Sequence, residues 1–177
     1  MAAFTVIDHT ETTAATTTAW EKTSIPSSYD HLLLVVSART DYGGYYVFPK
    51  LIFNGDTGTN YSDTELRTIT VGNTVTSARN TANAYIQAGT VNGDNAEADC
   101  FGVWKGWIPN YANTVGYKSI LMESTAGGDV ATHATFNINI TSGLWHSTAA
   151  IDAIKMTAFS ASFLTYSTFT LYGVTGA

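Results

Sequence analysis

Tyr29-Asp30-His31-Leu32-Leu33-Leu34-Val35-Val36-Ser37-Ala38-Arg39 is the stretch on which the fold turns. Its middle is apolar without a polar residue returning every three or four positions, so an amphipathic helix does not fit. The Val35-Val36 pair is stiff at χ1 and suits a pleated strand. Apolar residues on both faces predict a central strand covered on both sides. The turn Ile25-Pro26-Ser27-Ser28 leads into it, and the loop Asp41-Tyr42-Gly43-Gly44-Tyr45 follows it.

Outward from this strand the chain repeats one pattern, short alternating or apolar runs separated by Gly, Asn, Asp and Pro. A strand over 47–54 sets Val47, Leu51 and Phe53 against Phe48, Lys50 and Ile52, with Pro49 marking an edge or a bulge. Asn54-Gly55-Asp56 is a tight turn, because Asn-Gly readily takes positive φ. Further strands are predicted over 65–71, 84–88, 99–109, 117–123, 132–141, 150–157 and 168–174. Asn92-Gly93-Asp94-Asn95, Gly127-Gly128-Asp129 and Ser142-Gly143 read as the turns between them, and 74–81 as a short helix or a loop. Upstream, Phe4 and Val6, and later Thr16, Thr18 and Trp20, alternate with polar residues. The expectation is an all-β, antiparallel jelly roll or β-sandwich of about eight to ten strands. Residues 19–177 form one domain, and 1–18 a first strand or an N-terminal arm able to add a strand to a neighbouring subunit.

Composition points the same way. Charged residues are only 12% of the 177, about half the usual share, so the polar surface must come from Thr, Ser, Asn and Gly. Ten Tyr, eight Phe and four Trp favour pleated structure. The net charge is −6 and the pI near 4.9. The basic residues stand singly, which argues against a nucleic-acid partner. No apolar stretch approaches the ~20 residues of a membrane span, and MAAFTVIDHT lacks the basic-then-apolar pattern of a secretory signal. The single Cys100 cannot form an intramolecular disulfide, so the chain is expected to be made in a reducing cytoplasm or simply not to rely on oxidation. So little surface charge suits packing against copies of the chain or another protein.

No chemistry is marked out. His9, His31, His133 and His146 never fall at ligand spacing, so no zinc site is expected. The segment from Asp56 to Asp63 superficially resembles a calcium loop, but lacks the alternating ligands and the terminal Glu. It reads as a hydrogen-bonded Asx turn. Cys100 lies in what reads as an alternating strand, as a buried and inert thiol. No G-x-S-x-G elbow or phosphate-binding glycine loop occurs, and no carboxylate pair stands out among the 14 acidic residues. No catalytic residue, metal or cofactor is expected. Trp104 and Trp107 lie on opposite faces of one strand, so at least one faces the core, and Trp145 plugs the end of the sandwich. Tyr42, Tyr45 and Tyr46 are the candidate contact surface, suited to stacking on sugar rings. Phe4 and Val6 are candidates on the N-terminal segment.

Four blocks in order carry a resemblance. They are Ile25-Pro26-Ser27-Ser28-Tyr29-Asp30-His31-Leu32, Phe53-Asn54-Gly55-Asp56-Thr57-Gly58-Thr59-Asn60-Tyr61, Ser142-Gly143-Leu144-Trp145, and Ser167-Thr168-Phe169-Thr170-Leu171-Tyr172-Gly173-Val174. Ile108-Pro109-Asn110-Tyr111-Ala112-Asn113-Thr114 and then Lys118 fall between the second and third. The order resembles a group of tailed-bacteriophage virion proteins over nearly the whole chain. The resemblance implies a sandwich-type capsid decoration (cement) protein, or a tail-associated module that binds receptor or glycan. Its expected partners are the major capsid protein and copies of itself as a homotrimer. Its expected location is the virion, on the outer capsid surface. Many members of that group carry a Gly before the final Ser-Thr-Phe, where this chain has Tyr166.

Overall fold

The computed structural model describes residues 3–15, 17–69, 74–128 and 136–176. In chain order the strands are β1 (Ala3–Glu11), β2 (Ala19–Lys22), β3 (His31–Ala38), β4 (Tyr46–Val47), β5 (Lys50–Phe53), β6 (Tyr61–Ile69) and β7 (Thr74–Asn83). After them come β8 (Ile86–Gln87), β9 (Val91–Asn92), β10 (Gly102–Pro109), β11 (Lys118–Gly127), β12 (Phe136–Trp145), β13 (Ile154–Thr157) and β14 (Thr168–Thr175). They form an eight-stranded sheet, β1-β14-β3-β10-β11-β12-β6-β7, a four-stranded sheet, β2-β13-β5-β8, and a two-stranded ribbon, β4-β9. All of these pairings are antiparallel.

The all-β sandwich is therefore the architecture, with the four-stranded sheet and the ribbon laid over one face of the large sheet. Among the described residues fourteen strands stand where about eight to ten were expected, because Phe48-Pro49 splits one run into β4 and β5 and several two-residue pairings are too short to show in sequence. Alternation decides what fills the space between the sheets. Leu32, Leu34, Val36 and Ala38 of β3, Trp104 and Ile108 of β10, and Ile120 and Met122 of β11 point inward and are buried. Leu51 and Phe53 of β5, Ile86 of β8 and Met156 of β13 meet them in one continuous core. Trp20 of β2 stacks on Phe169 of β14 at 5.5 Å, ring to ring and nearly parallel, closing one end. At the other end Trp145 packs against Tyr61 and Phe53, as its reading as a plug anticipates.

Several expectations change. β3 is an interior strand of the large sheet, but among the described residues only one of its faces is covered. Val35 is exposed and Leu33 half-buried. The segment 74–81 is neither helix nor loop. It lies in β7, which hydrogen-bonds along β6 because Thr and Val there take a pleat once a partner strand is beside them. Ser142-Gly143 is no turn but lies within β12, where the glycine admits the opposite sheet. A Cβ on Gly143 would come within 2.8 Å of Ile86 and 2.9 Å of Ile120. Asp99 and Cys100 precede β10 rather than joining it. Asp99 has φ 63, and Cys100 is partly exposed, its thiol 3.5 Å from the Gly127 carbonyl oxygen. The strand expected over 132–141 runs Phe136–Trp145, and His133 lies outside the described residues.

The N-terminal segment pairs within its own chain, β1 lying against β14 as an edge of the large sheet. Asn54 (φ 52) and Gly55 (φ 66) make the expected positive-φ turn, closed by Asp56 N–H donating to the Phe53 carbonyl at 2.9 Å. The Asp56 carboxylate then accepts from Gly58 N, Asn60 Nδ2 and Trp145 Nε1, the Asx turn expected there. These donors, Trp145 foremost, hold its pKa below the ordinary value.

Candidate functional site

The tyrosine loop after β3 is held by backbone geometry. Tyr42 O accepts from the N–H groups of Gly44 and Asp94. Tyr45 O accepts from Gly93 N at 3.0 Å, and Asn95 Nδ2 donates to Gly43 O at 3.0 Å. The loop and the Asn92–Asn95 turn approach so closely that a Cβ on Gly93 would meet Gly44 O at 2.1 Å. Behind this turn the buried Arg39 donates to the carbonyls of Asp94, Ala96, Glu97 and Cys100. A charged group among main-chain carbonyls makes a strong anchor.

Anchored in this way, Tyr42, Tyr45 and Tyr46 line a pocket of about 410 Å³ together with Phe48, Tyr85 and Phe159. Gln87 supplies the polar side chain of the wall. The Tyr46 and Phe48 rings meet edge to face at 5.6 Å, and Arg67 lies over Phe48 at 4.7 Å. Lys50, from β5, places its ammonium 4.5 Å from the Tyr85 ring centre and 4.4 Å from that of Phe159, a cation–π sandwich. Gln87 Nε2 lies 3.4 Å from Glu65 Oε2, the buried carboxylate that also accepts from Asn139 and pairs with Arg67 at 3.0 Å. Aromatic faces and one amide in the wall, with an ammonium stacked on two of the rings, offer stacking and hydrogen bonding.

Phe4 and Val6 fall elsewhere, on the outer face of the large sheet. Phe4 packs edge to face on Tyr172 at 6.4 Å. Register carries rows of outward side chains across the strands. One runs Val6, Tyr172, Leu33, Trp107, Leu121, and the next runs Val35, Lys105, Glu123, Ile140, Leu66. A third passes through Ser37, Val103, Thr125 and Ile138. Val103, Ile138, Leu66 and Val75 are each more than half exposed. Lys105 and Glu123, 2.7 Å apart, form an ion pair near the middle of this face. Trp107 faces this side and Trp104 the core, as the strand alternation requires.

Lys50 and Phe48 were legible as outward positions of the 47–54 run, though nothing there signalled a pocket. Tyr85 lies within the strand predicted over 84–88, and Phe159 follows a predicted strand without any motif. Among the described residues no group of three or more His, Cys, Asp or Glu side chains is placed to hold a metal. Nor is any helix among them long and apolar enough to cross a membrane. No protein-family model, curated protein or solved structure matches this chain.

Proposed function

We propose that this protein is a non-enzymatic, self-associating structural component of a tailed-bacteriophage particle, a decoration module on the outer surface of the capsid. The observation that carries self-association is the outer face of the eight-stranded sheet. A sandwich usually leaves such a face polar, yet here Val35, Leu66, Val103, Leu121, Ile138 and Ile140 are exposed on it. Exposed apolar surface of this extent marks contact with another protein.

The occupant proposed is a second copy of the chain. Lys105 and Glu123 are neighbours near the centre, so a twofold axis between them sets each lysine beside the partner copy's glutamate. The face thus complements itself in charge as well as in hydrophobicity. Eight strands ~4.8 Å apart, with three outward positions each, span roughly 38 by 20 Å, or about 750 Å². That approaches the ~800 Å² per partner of a stable interface. Assignment to a phage capsid rests on the four sequence blocks and their order.

Sedimentation equilibrium of the purified chain tests the first part. A dimer that Leu121→Asp converts to monomer supports stacking through this face. A trimer would instead place the contact at the sheet edges, β1 and β7, and a monomer at all concentrations would overturn self-association. For the second part, antibody labelling of particles should decorate the head. Labelling confined to the tail tip would refute the capsid assignment.

A further inference from the structure

We infer that the aromatic pocket is a binding site for an acidic saccharide, with a hexuronic acid ring stacked on its tyrosines and the sugar carboxylate paired with Lys50. This goes beyond the structural role, and it does not depend on self-association. The pocket belongs to the small sheets and their loops, whereas the proposed self-contact lies on the outer face of the large sheet.

A pyranose ring presents patches of C–H groups on its faces and hydroxyls around its edge. Aromatic rings supply apolar faces for the first, and polar tips at the rim supply hydrogen bonds for the second. Here Tyr42, Tyr45, Tyr46 and Tyr85 provide both kinds of group on a pinned framework. The Tyr42 ring lies over Gly44, whose absent Cβ leaves the room, since a Cβ there would sit 2.7 Å from the ring. A site built in advance loses little conformational entropy on binding. At about 410 Å³ the pocket falls within the usual range of small-ligand sites.

Acid selectivity comes from Lys50. Other exposed lysines of this protein pair with carboxylates, Lys105 with Glu123 and Lys155 with Glu21. Lys50 instead lies between two aromatic rings. Tyr85 and Phe159 both line the pocket, so the ammonium stacked on them stands at its side, with N–H donors to offer a ligand's carboxylate. Gln87, through its contact with Glu65, is positioned to turn its carbonyl oxygen toward a sugar hydroxyl. A proline-rich peptide, the other ligand of aromatic surfaces, has no use for an unpaired ammonium.

Titration calorimetry of the intact protein with oligogalacturonate, and with a neutral galactose oligomer of equal length, tests this. The uronate should bind about tenfold more tightly than the neutral sugar, Lys50→Met should abolish that difference, and Tyr45→Ala should weaken both by about three- to tenfold. Both variants alter part-exposed side chains, and unchanged thermal melting confirms that they fold. Equal affinity for the two sugars, no binding of either, or binding only of a proline-rich peptide would each overturn the proposal.

Discussion

The Trp145 indole N–H donates to Asp56 Oδ2 at 2.7 Å, joining residues 89 positions apart. It ties the turn after β5 to the end of β12, and the Gly58 and Asn60 donors complete the set on the same carboxylate. Replacing Asp56 with Ala leaves the indole N–H of the buried Trp145 and a main-chain N–H without their acceptor. The expected loss is about 1–3 kcal/mol in urea unfolding, with a change in tryptophan emission of the folded state. Unchanged stability would show that the turn holds without its carboxylate.

Asp56 and Asp63 respond to acid in opposite senses. The donors around Asp56 lower its pKa below the ordinary 3.8, so its contribution is present above that pH and fades as pH falls through the folded value. Burial raises that of Asp63, despite hydrogen bonds from Asn80 and Gln87 N. The native state then holds its proton more tightly than the unfolded chain does. Stability from this group is full below pH ~3.8 and is lost as pH rises through the folded value. Across that window the stability of Asp63→Asn relative to the native protein should rise with pH, whereas Asp56→Asn should converge on the native protein below pH ~3.8. Urea unfolding measured between pH 3 and 7 reads both trends.

Gly143 lies where the two sheets approach closely. A methyl group there meets Ile86 from the opposite sheet and Ile120 from the next strand at under 3 Å. Gly143→Ala is expected to destabilise by about 1–3 kcal/mol through overpacking, although alanine suits a strand interior better than glycine. A variant melting within a degree of the parent would mean that the sheets part without cost.

Tyr166 has φ 69 and is 71% exposed. Its N–H is bonded to Thr12 O and the next residue's to Leu164 O, so the backbone cannot relax into a commoner conformation. Left-handed backbone costs a tyrosine more than a glycine. Tyr166→Gly should raise stability slightly, by about 0.5 kcal/mol after the glycine's unfolded-state entropy is counted, which calorimetric melting can resolve.

The outer-face ion pair offers a charge-reversal test. Lys105→Glu and Glu123→Lys each set like charges together, both within the chain and across the proposed twofold, and should dissociate the dimer. The double exchange restores complementarity and should restore the dimer. Sedimentation velocity of the four proteins distinguishes this from a contact elsewhere, which none of the changes would affect.

What the sequence by itself determined is local. An apolar run without helical periodicity assigned β3, and side-chain alternation put Trp104 and Trp107 of β10 on opposite faces, because a strand's period of two is a property of the backbone. Asn54-Gly55 specified its turn for the same reason, through φ alone. It misread Ser142-Gly143 as a turn, since glycine signals either a bend or a close approach, and only the opposite sheet decides between them. It left 74–81 open, because threonines become a strand only when β6 lies alongside. The tertiary structure alone decided that Tyr42, Tyr45 and Tyr46 line one pocket with Tyr85 and Phe159, on whose rings Lys50 stacks, and that the outward rows of seven strands merge into one largely apolar face. Both depend on which strands pair and in what register, and those long-range pairings are set by burial of the whole core rather than by any segment of the chain.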